Sequence, residues 1–178
     1  MELVEMSSEE YAESFKDSWL CYGDHQFIEL NAEKCEKVHY LCARNKRFRM
    51  GIIGGRIGLM FAVPFSAPFG GFVFPDDHMH MNYVDEAILL FLDWIKNQGL
   101  NKIKIALPPL IYDEAAVSKV TNSLLRAGFT VDSLDLNYYL SLDKFGENYD
   151  SVMRYNARKN LKKALDHNLC FFLLPERR

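Results

Sequence analysis

The apolar residues between Val84 and Ile95 constrain the fold of this 178-residue chain more than any other feature of its sequence. Five of them have the spacing of one face of an α-helix: Val84, Ala87, Ile88, Phe91 and Ile95. Four more extend the apolar surface nearly around the helix: Leu89, Leu90, Leu92 and Trp94. We therefore predict a central, buried helix, with Asn82 as its N-cap and Gly99 just beyond its end.

Segments of alternating apolar and polar residues before this helix predict strands. Lys37–Arg44 places successive side chains on two different faces and predicts one strand. Phe48–Ile53 and Ile57–Val63 predict two more. Gly54-Gly55 lies between these two segments, and such a pair is a common hairpin signal, so we predict that they are joined there by a tight turn.

The N-terminal region predicts a short strand and one or two helices. Residues 2–6 fit a strand, and Ser7 and Glu10 have the capping-box spacing of a helix that extends to about Trp19. A second, short helix is predicted around Asn31–Cys35.

Helices and strands alternate after the central helix. The predicted elements are Lys102–Leu107 (strand), Glu114–Ala127 (helix), Val131–Leu142 (strand), Tyr149–His167 (helix) and Leu169–Leu174 (strand). The full order is β-α-(α)-β-β-β-α-β-α-β-α-β. It predicts a mixed, mainly antiparallel sheet flanked by helices, of the α/β or α+β class. Because no repeat, low-complexity run or Gly/Ser-rich linker interrupts the chain, we predict a single domain over residues 1–178.

Composition and charge exclude several classes of protein. The longest apolar stretches fall far short of the roughly 20 residues of a membrane-spanning helix. The acidic N-terminus lacks the basic and apolar parts of a secretory signal. We therefore predict a cytoplasmic protein without a membrane span, whose four irregularly spaced cysteines stay reduced. Residues 1–37 contain 10 acidic and 3 basic residues, which gives a net charge of −7. Residues 145–178 contain 4 acidic and 7 basic residues, which gives a net charge of +3.

The basic residues near the C-terminal end are concentrated on one predicted helix. Four of them are candidate binding residues: Arg154, Arg158, Lys159 and Lys162. Few acidic residues lie one helical turn away from them, so this side of the helix suits a phosphate-bearing partner such as a nucleotide-linked sugar, a lipid-linked precursor or tRNA. The alternative is a solvated helix face. Because the chain is acidic overall and only this face is basic, we predict no DNA binding.

The string Pro64–Phe72 is a second candidate site. Its adjacent glycines, Gly70 and Gly71, allow a backbone to approach a ligand closely, and its three phenylalanines supply apolar walls: Phe65, Phe69 and Phe72. The alternative is a rigid turn whose phenylalanines belong to the core. If the string lines a pocket, we expect Gly71→Ala to remove ligand binding with little change in Tm, and Gly70→Ala to change Tm more.

Two further side chains belong to this candidate site. Ser66 lies within the string, and Tyr112 follows Pro108-Pro109 as a candidate proton donor or substrate contact. An ordinary half-buried tyrosine is the alternative for Tyr112. His78-Met79-His80, beside two aspartates, has metal-ligating residue types but no evident third ligand, so we predict a surface loop and no metal there.

The order of elements resembles the GNAT acyltransferase fold, in which three antiparallel strands precede a central helix and strand. Leu124–Phe129 (LLRAGF) resembles the end of a GNAT helix, where a Gly-Phe pair leads into the next strand. Two strings resemble the Fem-like branch, the tandem-GNAT transferases that add amino acids to peptidoglycan precursors: Pro64–Phe72 (PFSAPFGGF) and Asn156–Ala164 (NARKNLKKA). The resemblance covers essentially the whole chain, but only the first of the two GNAT-like halves of such proteins.

This resemblance implies a transferase that moves an acyl or aminoacyl group to an amine. It implies acyl-CoA or aminoacyl-tRNA as the donor and an amine-bearing acceptor, phosphate-bearing in the case of a cell-wall precursor. It also implies a second GNAT-like domain as a partner. The sequence names no catalytic residue for this reaction.

Two departures from the GNAT pattern favour an alternative function. The Gln/Arg-x-x-Gly-x-Gly/Ala turn that binds the pyrophosphate of acyl-CoA is absent before the central helix, where Pro75-Asp76-Asp77 stands instead. Leu124 occupies the position where many GNAT enzymes place a tyrosine that protonates the leaving thiolate, and leucine cannot donate a proton. The alternative is a non-catalytic half that recognises the acceptor for a second, catalytic domain.

Overall fold

Six strands of the chain form one mixed sheet. In a computed structural model, which describes residues 1–16, 21–75, 80–139, 141 and 153–167, they are β1 (Glu2–Met6), β2 (Lys37–Arg44), β3 (Phe48–Ile57), β4 (Met60–Val63), β5 (Phe72–Val73) and β6 (Lys102–Ile105). Their order is β1-β2-β3-β4-β6, with β5 paired to β3 beside this path. All pairs are antiparallel except β4 with β6. The predicted α+β class with a mainly antiparallel sheet is therefore confirmed.

Five α-helices lie within the described residues: α1 (Ser8–Ser14), α2 (His25–Asn31), α3 (Met81–Asn97), α4 (Glu114–Arg126) and α5 (Tyr155–Asp166). Short 3-10 helices lie at Cys21–Gly23 and Ala32–Lys34. The chain divides into two compact units, Met1–Leu134 and Asp135–Arg178. The sheet and α1–α4 belong to the first unit and α5 to the second. In the part of the chain that the structure describes, no helix is both long and apolar enough to cross a membrane.

The N-terminal helix begins at the predicted capping box. The Ser7 hydroxyl accepts a hydrogen bond from the backbone N–H of Glu10 at 3.2 Å, and the Glu10 carboxylate accepts one from the backbone N–H of Ser7 at 3.1 Å. These bonds satisfy two N–H groups that the first helical turn would leave unpaired. The helix ends at Ser14, and residues 17–19 of the predicted helix lie outside the described residues.

The short helix predicted at Asn31–Cys35 begins earlier in the chain. Asp24 is the N-cap of α2, because its carboxylate accepts hydrogen bonds from the backbone N–H groups of Gln26 and Phe27. The helix then ends at Asn31, and the predicted segment forms a 3-10 turn instead.

Three other predictions agree closely with the structure. The strand β2 has the predicted bounds, Lys37–Arg44. The strand β6 ends at Ile105 instead of Leu107, and α4 ends one residue before Ala127.

The helix α3 buries one face instead of its whole circumference. All five residues at the predicted spacing are buried: Val84, Ala87, Ile88, Phe91 and Ile95. Leu89, in contrast, is 56% exposed, so the prediction of a helix buried nearly all round is wrong. The sheet covers one side of α3, and α4 packs beside it, where the Ser123 hydroxyl donates a hydrogen bond to the Asp85 carboxylate. His80 is the N-cap instead of Asn82.

The hairpin predicted at Gly54-Gly55 lies further along the chain. The strand β3 continues through both glycines to Ile57, and the turn is at Gly58-Leu59. The glycines are required by packing: a Cβ on the first would collide with the ring of Phe61, and a Cβ on the second would lie 2.7 Å from Phe65. The Gly-Gly pair thus marks a close approach of aromatic rings to the strand.

The strand predicted at Val131–Leu142 is not formed in the described part of that segment. Residues 130–139 have no strand structure, and the alternating apolar side chains are exposed, as is Leu134 at 92%. Alternation alone does not produce a strand, because a strand also needs a neighbour for its backbone hydrogen bonds. Residues 149–152 of the last predicted helix and the predicted strand Leu169–Leu174 lie outside the described residues.

We expect Gly54→Ala to lower the free energy of unfolding by about 2–3 kcal/mol, because the added methyl group overpacks the site of the Phe61 ring. Gly58→Ala is the matched control. Nothing lies within 4 Å of a Cβ at Gly58, so only the strain of its φ of +60° remains, about 1 kcal/mol. Denaturant unfolding of both variants measures the difference. Equal losses of stability would contradict the packing role of Gly54.

His39 is a buried histidine between the sheet and α3. Its side-chain Nδ1 lies 2.9 Å from Oε1 of Glu5, and its ring packs edge-on against Trp94 at a centroid distance of 4.9 Å. Its Nε2 has no hydrogen-bond partner among the described residues. Burial lowers the pKa of His39, and this effect outweighs the attraction of the Glu5 carboxylate for the proton.

We therefore expect the free energy of unfolding to fall as the pH drops below about 6.5, the pKa of a histidine in an unfolded chain. In that range the unfolded state binds a proton that the folded state, with its lower pKa, does not yet bind. His39→Phe should remove this part of the pH dependence, whereas His167→Gln, which replaces an exposed histidine, should retain it. Denaturant unfolding at several pH values is the measurement, and an unchanged slope in His39→Phe would refute the assignment.

Candidate functional site

The candidate site lies at the carboxyl ends of the two parallel strands. β4 and β6 pair up to Val63 and Ile105, and the backbone N–H of Ala106 donates a last hydrogen bond to the Val63 carbonyl at 2.7 Å. The loop 64–71 follows β4, and the segment 106–112 follows β6. The N–H of Gly70 donates to the Ala106 carbonyl at 2.8 Å and joins the two. Ligands commonly bind where the carboxyl ends of parallel strands leave a crevice.

Aromatic rings from three parts of the chain meet at this site. The ring of Phe69 lies 5.2 Å from that of Tyr112, which brings together two predicted site residues. Phe69 also packs edge-on against Tyr22 at 5.0 Å, and Tyr22 packs against Phe27 at 5.3 Å. Tyr112 is exposed at one end of this row of rings.

A small pocket opens beside the predicted glycines. Its volume is about 20 Å³, and its walls are Tyr11, Tyr22, Gly23, Ile28, Ile53, Pro64, Phe65, Gly70, Gly71 and Val73. Phe65 and Phe69 thus lie at the site as predicted. Phe72 was expected as a third wall, but it lies in the main core, where it packs edge-to-face against Phe91 at 5.9 Å.

Ser66 belongs to a polar network at the edge of the site. Its hydroxyl accepts a hydrogen bond from Lys34 Nζ at 2.8 Å and donates one to Asn31 Oδ1 at 2.8 Å. Lys34 Nζ also donates to Asn31 Oδ1 at 2.7 Å. The network ties the loop 64–71 to the end of α2, so it holds the predicted site residues in place.

Burial keeps one phenol and two thiols of this unit protonated at neutral pH. Burial raises the pKa of the Tyr11 phenol well above its usual range, and it raises the pKa of the Cys42 thiol to about 11. Burial also raises the pKa of Cys35. Both cysteines are free thiols, and neither is poised as a thiolate nucleophile. Within the described ranges, no three His, Cys, Asp or Glu side chains form a group that could hold a metal ion.

The predicted basic residues lie on or beside α5, in the second unit. Arg154 is the N-cap of this helix, and Arg158, Lys159 and Lys162 are exposed on it. The guanidinium of Arg158 donates to the Met153 carbonyl at 3.2 Å. Among the residues that the structure describes, none of these four cations forms an ion pair. The first unit thus contains the five predicted site residues that follow β4 and β6, namely Ser66, Phe69, Gly70, Gly71 and Tyr112. The second unit contains the four predicted basic residues.

Sequence patterns did not reveal four of the residues at the site. Tyr11 and Tyr22 line the pocket, and Asn31 and Lys34 form the polar network. All four come from the first 34 residues of the chain, far in sequence from the Pro64–Phe72 string, and no spacing rule connects the two segments.

No protein-family model, no curated protein and no solved structure matches this chain.

The backbone at Gly71 changes the expected effect of substitution. Gly71 has a φ of +127°, which side-chain-bearing residues rarely adopt, and a Cβ there would lie 3.2 Å from Leu107. A Cβ at Gly70 would meet Pro64 at 3.1 Å, without a positive φ. The positive φ favours the alternative in which Gly71 is needed for its backbone conformation, so that a methyl group there strains the turn.

We now expect Gly71→Ala to cost about 1–2 kcal/mol because of backbone strain, a fall in Tm of roughly 2–8 °C for a chain of this size. Gly70→Ala is the control, and it should lower Tm less, because its neighbour needs to move only slightly. Thermal unfolding followed by circular dichroism measures both. A larger fall for Gly70→Ala would show that contact with Pro64, and not the φ of Gly71, limits substitution here.

Proposed function

We propose that this chain is a GNAT-like domain similar to the first half of Fem-like transferases, and that it takes part in the transfer of an acyl or aminoacyl group to an amine. The site at the carboxyl ends of β4 and β6 would bind the amine-bearing acceptor. One observation carries this proposal: five residues predicted from the sequence converge there, namely Ser66, Phe69, Gly70, Gly71 and Tyr112.

The order of elements also supports the proposal. The antiparallel strands β2, β3 and β4 precede the central helix α3, which leads to β6 and α4. This is the order on which the resemblance rests. The two loops at the site then follow the only parallel pair of strands among the described residues.

The chemistry requires a neutral amine and an activated carbonyl group. The amine nitrogen attacks the carbonyl carbon of an ester or thioester, a C–N bond forms, and the C–O or C–S bond breaks. A base takes the proton from the nitrogen, the leaving group accepts a proton, and hydrogen-bond donors stabilise the developing oxyanion. We propose Tyr112 as one of the hydrogen-bond donors to the oxyanion, because its ring lies beside that of Phe69 at the exposed end of the site.

The burial of Leu124 favours a second candidate function. Leu124, which stands where the GNAT pattern often has a proton-donating tyrosine, is 5% exposed and belongs to the main core. An apolar core side chain cannot protonate a leaving group. The second candidate is therefore a non-catalytic half that holds the acceptor for another GNAT-like domain.

For the second unit, taken by itself, we propose that the basic residues of α5 bind a phosphate-bearing partner. Arg154, Arg158, Lys159 and Lys162 present cations that the described residues do not neutralise, and such cations favour phosphate groups. We place the reaction in the cytoplasm, where thiols such as those of Cys35 and Cys42 remain reduced.

A transfer assay on the full chain tests the proposal. A lysine-containing peptide with free amines serves as acceptor, with acetyl-CoA and mixed aminoacyl-tRNA as donors in separate reactions, and mass spectrometry detects the new amide. We expect product with the aminoacyl donor and none with acetyl-CoA, because the chain lacks the pyrophosphate-binding turn. Tyr112→Phe should lower the rate at least about ten-fold, whereas Tyr155→Phe, at an exposed tyrosine of α5, should not.

The remaining outcomes separate the two candidates. Saturable binding of the peptide without product from either donor would support the recognition half. Product formation that is unaffected by Tyr112→Phe and by Ser66→Ala would show that the reaction does not use this site.

A further inference from the structure

The strand β6 is the last strand at one edge of the sheet. Its backbone pairs with β4 on one side, and no described strand pairs with it on the other. Such an edge presents a row of backbone N–H and C=O groups that another strand can complete. Its exposed side chains, Lys102 and Lys104, disfavour pairing with an arbitrary strand but not with one that carries acidic residues.

The main core is incompletely covered along β6. On β4 the side chains of Phe61 and Val63 are buried, with exposures of 0% and 2%. Ile103 and Ile105 are their partners on β6 and pack against the same core, but both are only partly buried. An added strand with apolar residues on this face would take the remaining apolar surface out of water, which favours association.

Residues 131–139 have the sequence of a half-buried strand without a strand to pair with. Alternation would place Leu134, Leu136 and Tyr138 on one face. These side chains are 92%, 79% and 87% exposed. Within the described ranges the segment has no strand structure. It therefore holds in water a row of apolar side chains that a neighbouring strand and the core behind it would bury.

The opposite faces of β6 and of this segment carry complementary charge. Lys102 and Lys104 are exposed and alternate with the two isoleucines. Asp135 and Asn137 alternate with the leucines, so they would lie on the side of the lysines when the leucines cover the isoleucines. In the described part of the chain, neither lysine nor Asp135 forms an ion pair. Opposite charges on adjoining strands favour pairing, and like charges oppose it.

We propose that residues 131–139 of a second copy of this chain add to the free edge of β6 as a strand. Every copy carries both the lysine-bearing edge and the acidic, apolar-faced segment. In a two-fold symmetric dimer each copy donates its segment and receives that of the other, so two edges and two segments are paired at once. This dimer is independent of the proposed acyl transfer, although the donated strand would lie next to the strand that ends at the candidate site.

Sedimentation equilibrium of the full chain at increasing concentration tests for the dimer. We expect the 20.7 kDa chain to associate to twice this mass. Amide hydrogen exchange, followed by mass spectrometry, locates the contact. Peptides that cover Lys102–Ile105 and residues 131–139 should exchange more slowly in the dimer than in the monomer, because new backbone hydrogen bonds protect them.

A substitution on the apolar face of the segment tests its role in the contact. Leu134→Asp should weaken the dimer at least about ten-fold, because it places a charge where the leucine would be buried. The Tm of the monomer should not change, since Leu134 is almost fully exposed there. Leu30→Asp is the matched control at another exposed leucine, on α2, and should leave the dimer unchanged.

An exchange of charges distinguishes a second copy from the chain's own segment. Lys102→Glu/Lys104→Glu gives an acidic edge, and Asp135→Lys gives a basic segment, so each variant alone should dimerise roughly five-fold more weakly. In a mixture of the two variants, each edge meets a segment of opposite charge. The mixed dimer should therefore be about as tight as the dimer of the unchanged chain.

Three results would overturn the inference. The first is a monomer at every concentration. The second is a dimer that forms without slower exchange in Lys102–Ile105, or whose affinity Leu134→Asp does not change. The third is protection of Lys102–Ile105 that is already present in the monomer and is lost in the charge variants without recovery on mixing, because the chain's own segment would then occupy the edge.

Discussion

The packing of Phe61 against Gly54 determines how the sheet and the central helix fit together. The Phe61 ring is fully buried, and it lies 5.5 Å from the ring of Phe91 and 5.7 Å from that of Trp94, both on α3. On its other side it occupies the space that any side chain at position 54 would fill. Because protein interiors are packed as densely as crystals, strand β4 can take this position only beside a residue without a side chain.

The location of the candidate site follows from this arrangement. With β4 held against β3 and α3, β6 pairs with it in parallel, and both strands end at the same edge of the sheet. The loops that follow them meet there, joined by the Gly70–Ala106 hydrogen bond and by the contact of Phe69 with Tyr112. The N-terminal helices contribute Tyr11 and Ile28 to the walls of the pocket beside the loop 64–71.

Elements with a strong local signal could be predicted, and elements that depend on distant partners could not. The buried face of α3, the bounds of β2 and the capping box at Ser7 all follow from residues that are close together in the sequence. The glycines at 54 and 55 look the same in sequence whether they form a turn or make room for rings, and here they make room. The alternating residues after Thr130 predict a strand, yet no strand forms in residues 130–139, because pairing depends on another part of the chain.

The candidate site shows the same division. Glycines, aromatic residues and a hydroxyl concentrated in one short string were enough to single out the loop 64–71, and a basic run was enough to single out the exposed cations of α5. Their partners Tyr22 and Lys34, and the φ of Gly71 that limits substitution, required the folded chain. Periodicity and local propensity act between neighbours along the chain, so they specify helices, strands and turns. The meeting of residues 30 or more positions apart depends on how those elements pack, which no short sequence pattern encodes.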